Sequence, residues 1–152
     1  MIQRIQSIWL LLATLTISCL LFVPMVTTTV GSTEYQVLAT GLYQKTGEVT
    51  TKVEAFLPLL ISTIAVALMC FINIFNFRKR AIQKKIIIAN VVLIIGLSFW
   101  CSQYAKKIPG GLETANATIG MFLPVIAILF CMLAIRGINN DEKLLRSADR
   151  LR

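Results

Sequence analysis

The side chains able to do chemistry are few and widely separated. Four cysteines, Cys19, Cys70, Cys101 and Cys131, fall in four different apolar stretches, with no C-x-x-C pair among them. Small apolar packing residues are the expectation for thiols so placed. The chain has no histidine, which removes the usual general base and the commonest metal ligand. Phosphate-binding glycine loops, nucleophile elbows and Cys/His metal spacings are missing from the sequence as well. These absences predict a protein that is not an enzyme and carries no cofactor or metal. The polar residues well within the apolar stretches are the hydroxyls Thr14, Thr16, Ser18, Ser62, Thr63 and Ser98 and three amides. Asn73, Asn76 and Asn90 are placed to line a polar cluster, or else to hydrogen bond from helix to helix at roughly 0.6–2 kcal/mol per contact.

The positive charge is more informative. The net charge is +8, from 15 basic and 7 acidic residues. Arg78, Lys79, Arg80, Lys84 and Lys85 cluster in mid-chain, Arg136, Lys143, Arg146, Arg150 and Arg152 near the end, and Arg4 near the start. The remaining lysines, Lys45, Lys52, Lys106 and Lys107, are balanced by Glu34, Glu48, Glu54 and Glu113. Topogenesis and attraction to anionic lipid, on the order of 1 kcal/mol per basic residue, account for such a face. Docking to an acidic partner, including ribosomal RNA phosphates, is the alternative. DNA reading is not suggested, for want of a base-reading motif.

The elements that carry these groups follow from hydropathy. Hydrophobic residues make up 57% of the chain and charged ones 14%, outside the balance of a soluble domain. Stretches 5–33, 55–77, 86–105 and 114–135 contain no charged residue, and a hydrocarbon core of about 30 Å needs roughly 20 apolar residues as helix. The expectation is a four-helix transmembrane domain over 1–137, with spans near 7–25, 55–77, 86–105 and 118–136. The basic side is then cytoplasmic, and both termini lie there. The first stretch reads as a retained span, because 23–26 offers no small-x-small cleavage site.

Between the first two spans, 26–54 is rich in Thr, Val and Tyr. Alternation over 35–40 and 48–53, with Lys45-Thr46-Gly47 between them, predicts a β-hairpin. Pro58 suits a first helical turn, Pro109-Gly110-Gly111 a tight turn, and Gly137 a helix stop. After Gly137, Asn140 is positioned to N-cap a separate cytoplasmic amphipathic helix over 138–152. Its apolar stripe would hold Leu144, Ala148 and Leu151, surrounded by basic residues. The fold expectation is therefore an all-α membrane protein: a four-helix bundle with a small extracytoplasmic β-hairpin and a helical tail.

The opening Met1-Ile2-Gln3-Arg4-Ile5-Gln6-Ser7, the middle Phe71-Ile72-Asn73-Ile74-Phe75 and the closing run from Asp141-Glu142-Lys143-Leu144-Leu145 to Arg152 are motifs of a known kind. The chain resembles a domain family of unknown function, the four-helix inner-membrane proteins of Bacteroidota. The resemblance implies a multi-pass protein of the bacterial inner membrane and supplies no catalytic residues. The order helix, strands, helix, helix, helix is also similar to the claudin-like architecture, an analogy of fold alone. The functional expectation is a non-catalytic accessory or scaffold subunit of a larger inner-membrane complex, in the setting of secretion or membrane-protein insertion. Its partners would be membrane lipids and other inner-membrane proteins. A small transporter or channel acting as a homo-oligomer is the alternative.

Overall fold

The structure, a computed structural model, describes residues 3–47, 49–111 and 113–149; of 3–5, 77–78 and 145–149 it describes the backbone. Among these residues the chain forms four α-helices, α1 (Gln3–Cys19), α2 (Leu57–Ile74), α3 (Arg80–Ala105) and α4 (Leu123–Asp149). It also forms five strands, β1 (Val26–Val30), β2 (Thr33–Leu38), β3 (Gly41–Thr46), β4 (Val49–Ala55) and β5 (Asn116–Ala117), in one antiparallel sheet ordered β4-β3-β2-β1-β5. The all-α expectation is therefore wrong. The 26–55 segment is a four-stranded meander with short turns at 31–32 and 39–40 and a further turn at Gly47, so each run of five to seven residues between turns becomes a strand. The two expected strands do not pair with each other; each pairs with β3 between them. The turn at Gly47 forms with φ +63° and joins β3 to β4.

Four helix cores share one spacing. Gln6, Leu10, Ala13, Ile17 and Leu20 are buried along α1 and the turn after it; Leu59, Thr63, Val66, Cys70 and Asn73 along α2. Gln83, Ile87, Asn90, Ile94, Leu97 and Cys101 are buried along α3; Ala127, Cys131, Ala134, Ile138 and Asp141 along α4. Alternating steps of three and four residues keep a seam facing inward, as in other bundles packed knobs into holes. The opposite faces are apolar too: Leu68, Ile72, Ile88, Val92, Ile95, Phe99, Val125, Leu129 and Met132 are exposed. A helix apolar all round belongs in a core or a membrane. Three helices, Leu57–Ile74, Arg80–Ala105 and the run Ile119–Leu144, are long and apolar enough to cross a bilayer, and the chain is a membrane protein.

Four spans had been expected. The first helix ends at Cys19, and its 17 residues extend only about 26 Å at 1.5 Å per residue. Residues 20–25 leave the helix because Pro24 interrupts it and the Met25 amide donates to the Val37 carbonyl, at 2.7 Å, at the base of the sheet. The helix stop expected at Gly137 is also absent. Gly137 has no left-handed φ, and α4 continues through Asn140 to Asp149, so the separate capped tail helix does not exist. Gly137 instead permits close approach to α1, where an added Cβ would lie 3.2 Å from Gln6 Cγ. Finally, α3 starts at Arg80, so Arg80, Lys84 and Lys85 lie in its first turns and only Lys79 separates it from the 3-10 turn Phe75–Arg78.

The sheet stands on the end of the bundle opposite the basic clusters. Its base is buried at Val26, Val37, Ala39 and Leu42, whereas Val30 and Lys45-Thr46 at the other end are exposed. The strands thus run toward and away from the helix ends. Base and bundle are joined by the Phe56 amide to the Thr40 carbonyl at 3.4 Å and the Thr118 amide to the Met25 carbonyl at 3.1 Å.

Candidate functional site

The antiparallel course of the helices brings the N-terminal turns of α1 and α3 to the same end as the C-terminal turns of α2 and α4. At that basic end each core seam terminates in a polar residue: Gln6, Asn73, Gln83 and Asp141 are 3%, 0%, 1% and 5% exposed. Gln6 Nε2 donates to Asp141 Oδ2, tying α1 to α4. Asn73 Nδ2 donates to the Gln83 carbonyl at 3.3 Å and Gln83 Nε2 to the Asn73 carbonyl at 3.4 Å, a reciprocal pair closing the α2–α3 turn. Beside them Lys84 meets Glu142 at 2.6 Å, which sets residues 83–84 of α3 opposite 141–142 of α4. The four polar residues therefore form a layer across the bundle.

The layer uses its donors and leaves acceptors. Among the described residues, Asn73 Oδ1, Gln83 Oε1 and Asp141 Oδ1 have no hydrogen-bond partner, and neither Oδ1 nor Nδ2 of Asn90 has one. Asn90 lies on the Gln83 seam, seven residues on, about 10 Å deeper by helical rise. From there to the sheet the seams are apolar but for Thr63, whose hydroxyl donates to the Leu59 carbonyl at 2.7 Å. Thr14, Thr16, Ser18 and Ser98 each bond the carbonyl four residues back and Ser62 the one three back, so these hydroxyls are satisfied within their own helices.

Of the residues expected in a polar cluster, Asn73 and Asn90 are interior. Asn76 sits in the 3-10 turn, where its carbonyl accepts the Lys79 amide at 3.0 Å. Gln6, Gln83 and Asp141 were not anticipated, although Gln83 is in step with Asn90 and Asp141 with Ala127, Cys131, Ala134 and Ile138. Of the basic face, Lys79 and Lys85 are exposed and Arg80 half-buried, while Lys84 is drawn into the Glu142 ion pair. Leu144, expected on a stripe that meets a partner or lipid, is 56% exposed in the chain by itself. The side chains of Arg78 and Arg146, and the whole of Arg150, Leu151 and Arg152, lie outside the described residues.

At the sheet end, Lys107 Nζ lies 2.9 Å from Glu54 and over the rings of Tyr104 and Phe56 at 5.2 and 5.7 Å. The Glu54 carboxylate raises the Lys107 pKa above its ordinary value by accepting this hydrogen bond. The contact pins the end of α3 to the junction of β4 and α2. The two sheet edges differ. On the β1 side, β5 pairs with Val26–Thr27 and the loop before it packs on: Thr28 Oγ1 reaches the Thr114 carbonyl at 3.3 Å. On the other side β4 is exposed over all seven residues, with Val49 and Val53 65% and 54% accessible.

Nothing among the described residues forms a set of three or more His, Cys, Asp or Glu side chains able to hold a metal. A comparison with curated proteins found no match. The family model described as "Domain of unknown function (DUF4293)" matches residues 2–151. With nearly its full length covered by that model, the chain belongs to the DUF4293 family.

Proposed function

We propose that the protein is a non-catalytic accessory subunit of an inner-membrane assembly, and that it engages its partner by strand addition at the free edge of β4. The observation that carries this reading is the asymmetry of the sheet: one edge is covered by β5 and its loop, while the β4 edge is bare. An uncovered edge is a template for pairing, and soluble and membrane proteins alike usually cover or blunt it. Main-chain hydrogen bonds along Val49–Lys52 of β4, before the register shift at Val53, would supply affinity, and Val49 and Val53 an apolar contact of the kind that gives such pairing its specificity.

The upright strands narrow the choice of partner. Two antiparallel neighbours in a sheet are related by an axis perpendicular to it. With strands directed along the bundle, that axis would lie in the membrane plane and invert one copy. An antiparallel β4–β4 dimer within one membrane is therefore unfavourable, and an extended extracytoplasmic segment of a different chain fits better. The basic end supports a cytoplasmic placement of both termini by the positive-inside rule. Within a single copy the seams beyond Asn90 toward the sheet are apolar apart from one satisfied threonine, which favours the accessory-subunit reading over a transporter.

The test is recovery of the tagged protein in mild detergent, comparing wild type with Val49→Lys/Val53→Lys. A stoichiometric companion lost from the variant, with the variant itself accumulating and melting normally, is the expected outcome. Recovery of the protein alone, or of the same companion with both forms, contradicts the reading.

A further inference from the structure

A crevice of about 140 Å³ opens between α3 and α4 near the sheet. Its α3 wall is Ser98, Cys101, Ser102 and Ala105; Gly120, Met121, Pro124 and Val125 form the other wall, and Met25 and Val26 the roof. The gap has a cause in the sequence. Small side chains occupy α3 where larger ones would reach α4, and Gly120 is held against the chain before β1: an added Cβ would fall 2.3 Å from the Pro24 carbonyl oxygen. The helix start is thereby fixed by backbone contact and cannot slide in to fill the space.

We propose that this crevice binds the first few methylenes of one acyl chain of a membrane phospholipid, with the glycerol ester at Ser102 and the phosphate at Lys106. Three observations select that occupant over others. The crevice lies within the segments of α3 and α4 that are long and apolar enough to span a bilayer, and its mouth is flanked by Met121 and Val125, 52% and 56% exposed. The deeper part of the crevice, at Ser98 and Val125, faces hydrocarbon, and an unfilled gap there forfeits the contacts its walls could make. The walls offer little else to bind, because the Ser98 hydroxyl is already given to the Ile94 carbonyl at 2.8 Å.

The polar groups that remain are graded along α3. Ser98, Ser102 and Lys106 follow one another at four-residue steps, so each lies about 6 Å nearer the sheet than the last. An apolar depth, then a hydroxyl donor, then an ammonium matches the order acyl chain, ester carbonyl, phosphate along a lipid. Lys106 is available for this role, since its described contact is a 3.4 Å one to the Gln103 side chain, whereas Lys107 is engaged by Glu54. Trp100 and Tyr104, 6.5 Å apart on the same stretch of helix, mark the interfacial depth at which head groups begin.

The experiment uses the full chain in nanodiscs containing a trace of phosphatidylglycerol with a diazirine on one acyl chain. After photolysis, adducts are mapped by mass spectrometry. Adducts concentrated several-fold on 98–105 and 120–125, relative to the lipid-facing positions Ile88, Val92 and Leu129, are expected. Ser98→Phe should reduce the crevice adducts to the level of those positions, and Lys106→Gln should lower them at limiting probe. Even labelling of all lipid-facing positions in the wild-type protein overturns the proposal without reference to any variant. Unchanged labelling in a correctly folded Ser98→Phe variant also overturns it, as does a protein side chain cross-linked to these residues in place of lipid. The outcome is independent of what happens at the β4 edge.

Discussion

Asn90 is the residue whose position is hardest to justify by packing alone. Its amide is fully buried, and neither polar atom has a partner among the described residues. A buried amide left unpaired costs about 1–3 kcal/mol, while an apolar group of similar shape costs nothing of that kind. Asn90→Leu is therefore expected to raise the melting temperature of the protein in detergent; a fall would mean that a bound water or ligand satisfies the amide. The reciprocal pair behaves oppositely. Asn73→Ala or Gln83→Ala strips a buried carbonyl of its donor and should destabilise by about 1 kcal/mol, with a non-additive double variant because each amide holds the other helix. Lys107 supplies a pH dependence. Its ammonium form is favoured in the folded state by the hydrogen bond to Glu54, so the contribution is complete below the ordinary lysine value and fades as pH rises through the raised one. Trp100 emission should change in that alkaline range in wild type and lose this component in Lys107→Met, the tyrosine titrations being common to both.

At the scale of elements, the helices were the more legible part. Long charge-free runs require burial whatever the details, and the three-four spacing of seams such as Leu59, Thr63, Val66, Cys70 and Asn73 can be followed in the sequence itself. The layer at the basic end obeys the same rule, but a polar residue beyond the last apolar one resembles a loop residue unless the seam is continued through it. Asp141 is the instance: next to Asn140 it resembles the start of a tail helix, and in the fold it is the last step of the seam from Ala127. Gly137 misled for a related reason, since a glycine terminates a helix only where φ turns positive, and here the apolar seam and the contact with Gln6 outweigh its poor propensity. The strands were harder. Val26-Thr27-Thr28-Thr29-Val30 alternates weakly, and nothing local announces that Asn116-Ala117 will pair with its start. Close approach gives a sharp test of the α4 start. Gly120→Ala drives a Cβ into the Pro24 carbonyl and should cost about 1–3 kcal/mol. Gly96→Ala on α3 meets nothing within 4 Å and should gain up to about 1 kcal/mol from helix propensity, both measured as thermal stability in detergent.

For the molecule as a whole, the two ends of the bundle have different tasks. The basic end is closed by side-chain amides and an ion pair, Lys84 to Glu142, which knit the four helices together. The sheet end carries a scaffold whose base is locked to the helices by Phe56, Tyr104 and Lys107 and whose far end and one edge are exposed. Tyr104 and Phe56 lie 4.3 Å apart by ring centroids, so the edge strand is presented on a firm support, as a docking element requires. The central claim is that this edge is where a partner pairs. The most direct measurement is site-specific photocross-linking in intact cells, with a photoreactive amino acid at Val53 on β4, at Val30 on the distal end of β1, and at Val92 on the lipid-facing side of α3. The account expects one discrete protein adduct from position 53, absent from position 92, weak or absent from position 30, and abolished by Val49→Lys. The same adduct from all three positions, or none from position 53 in cells where the protein accumulates normally, contradicts it.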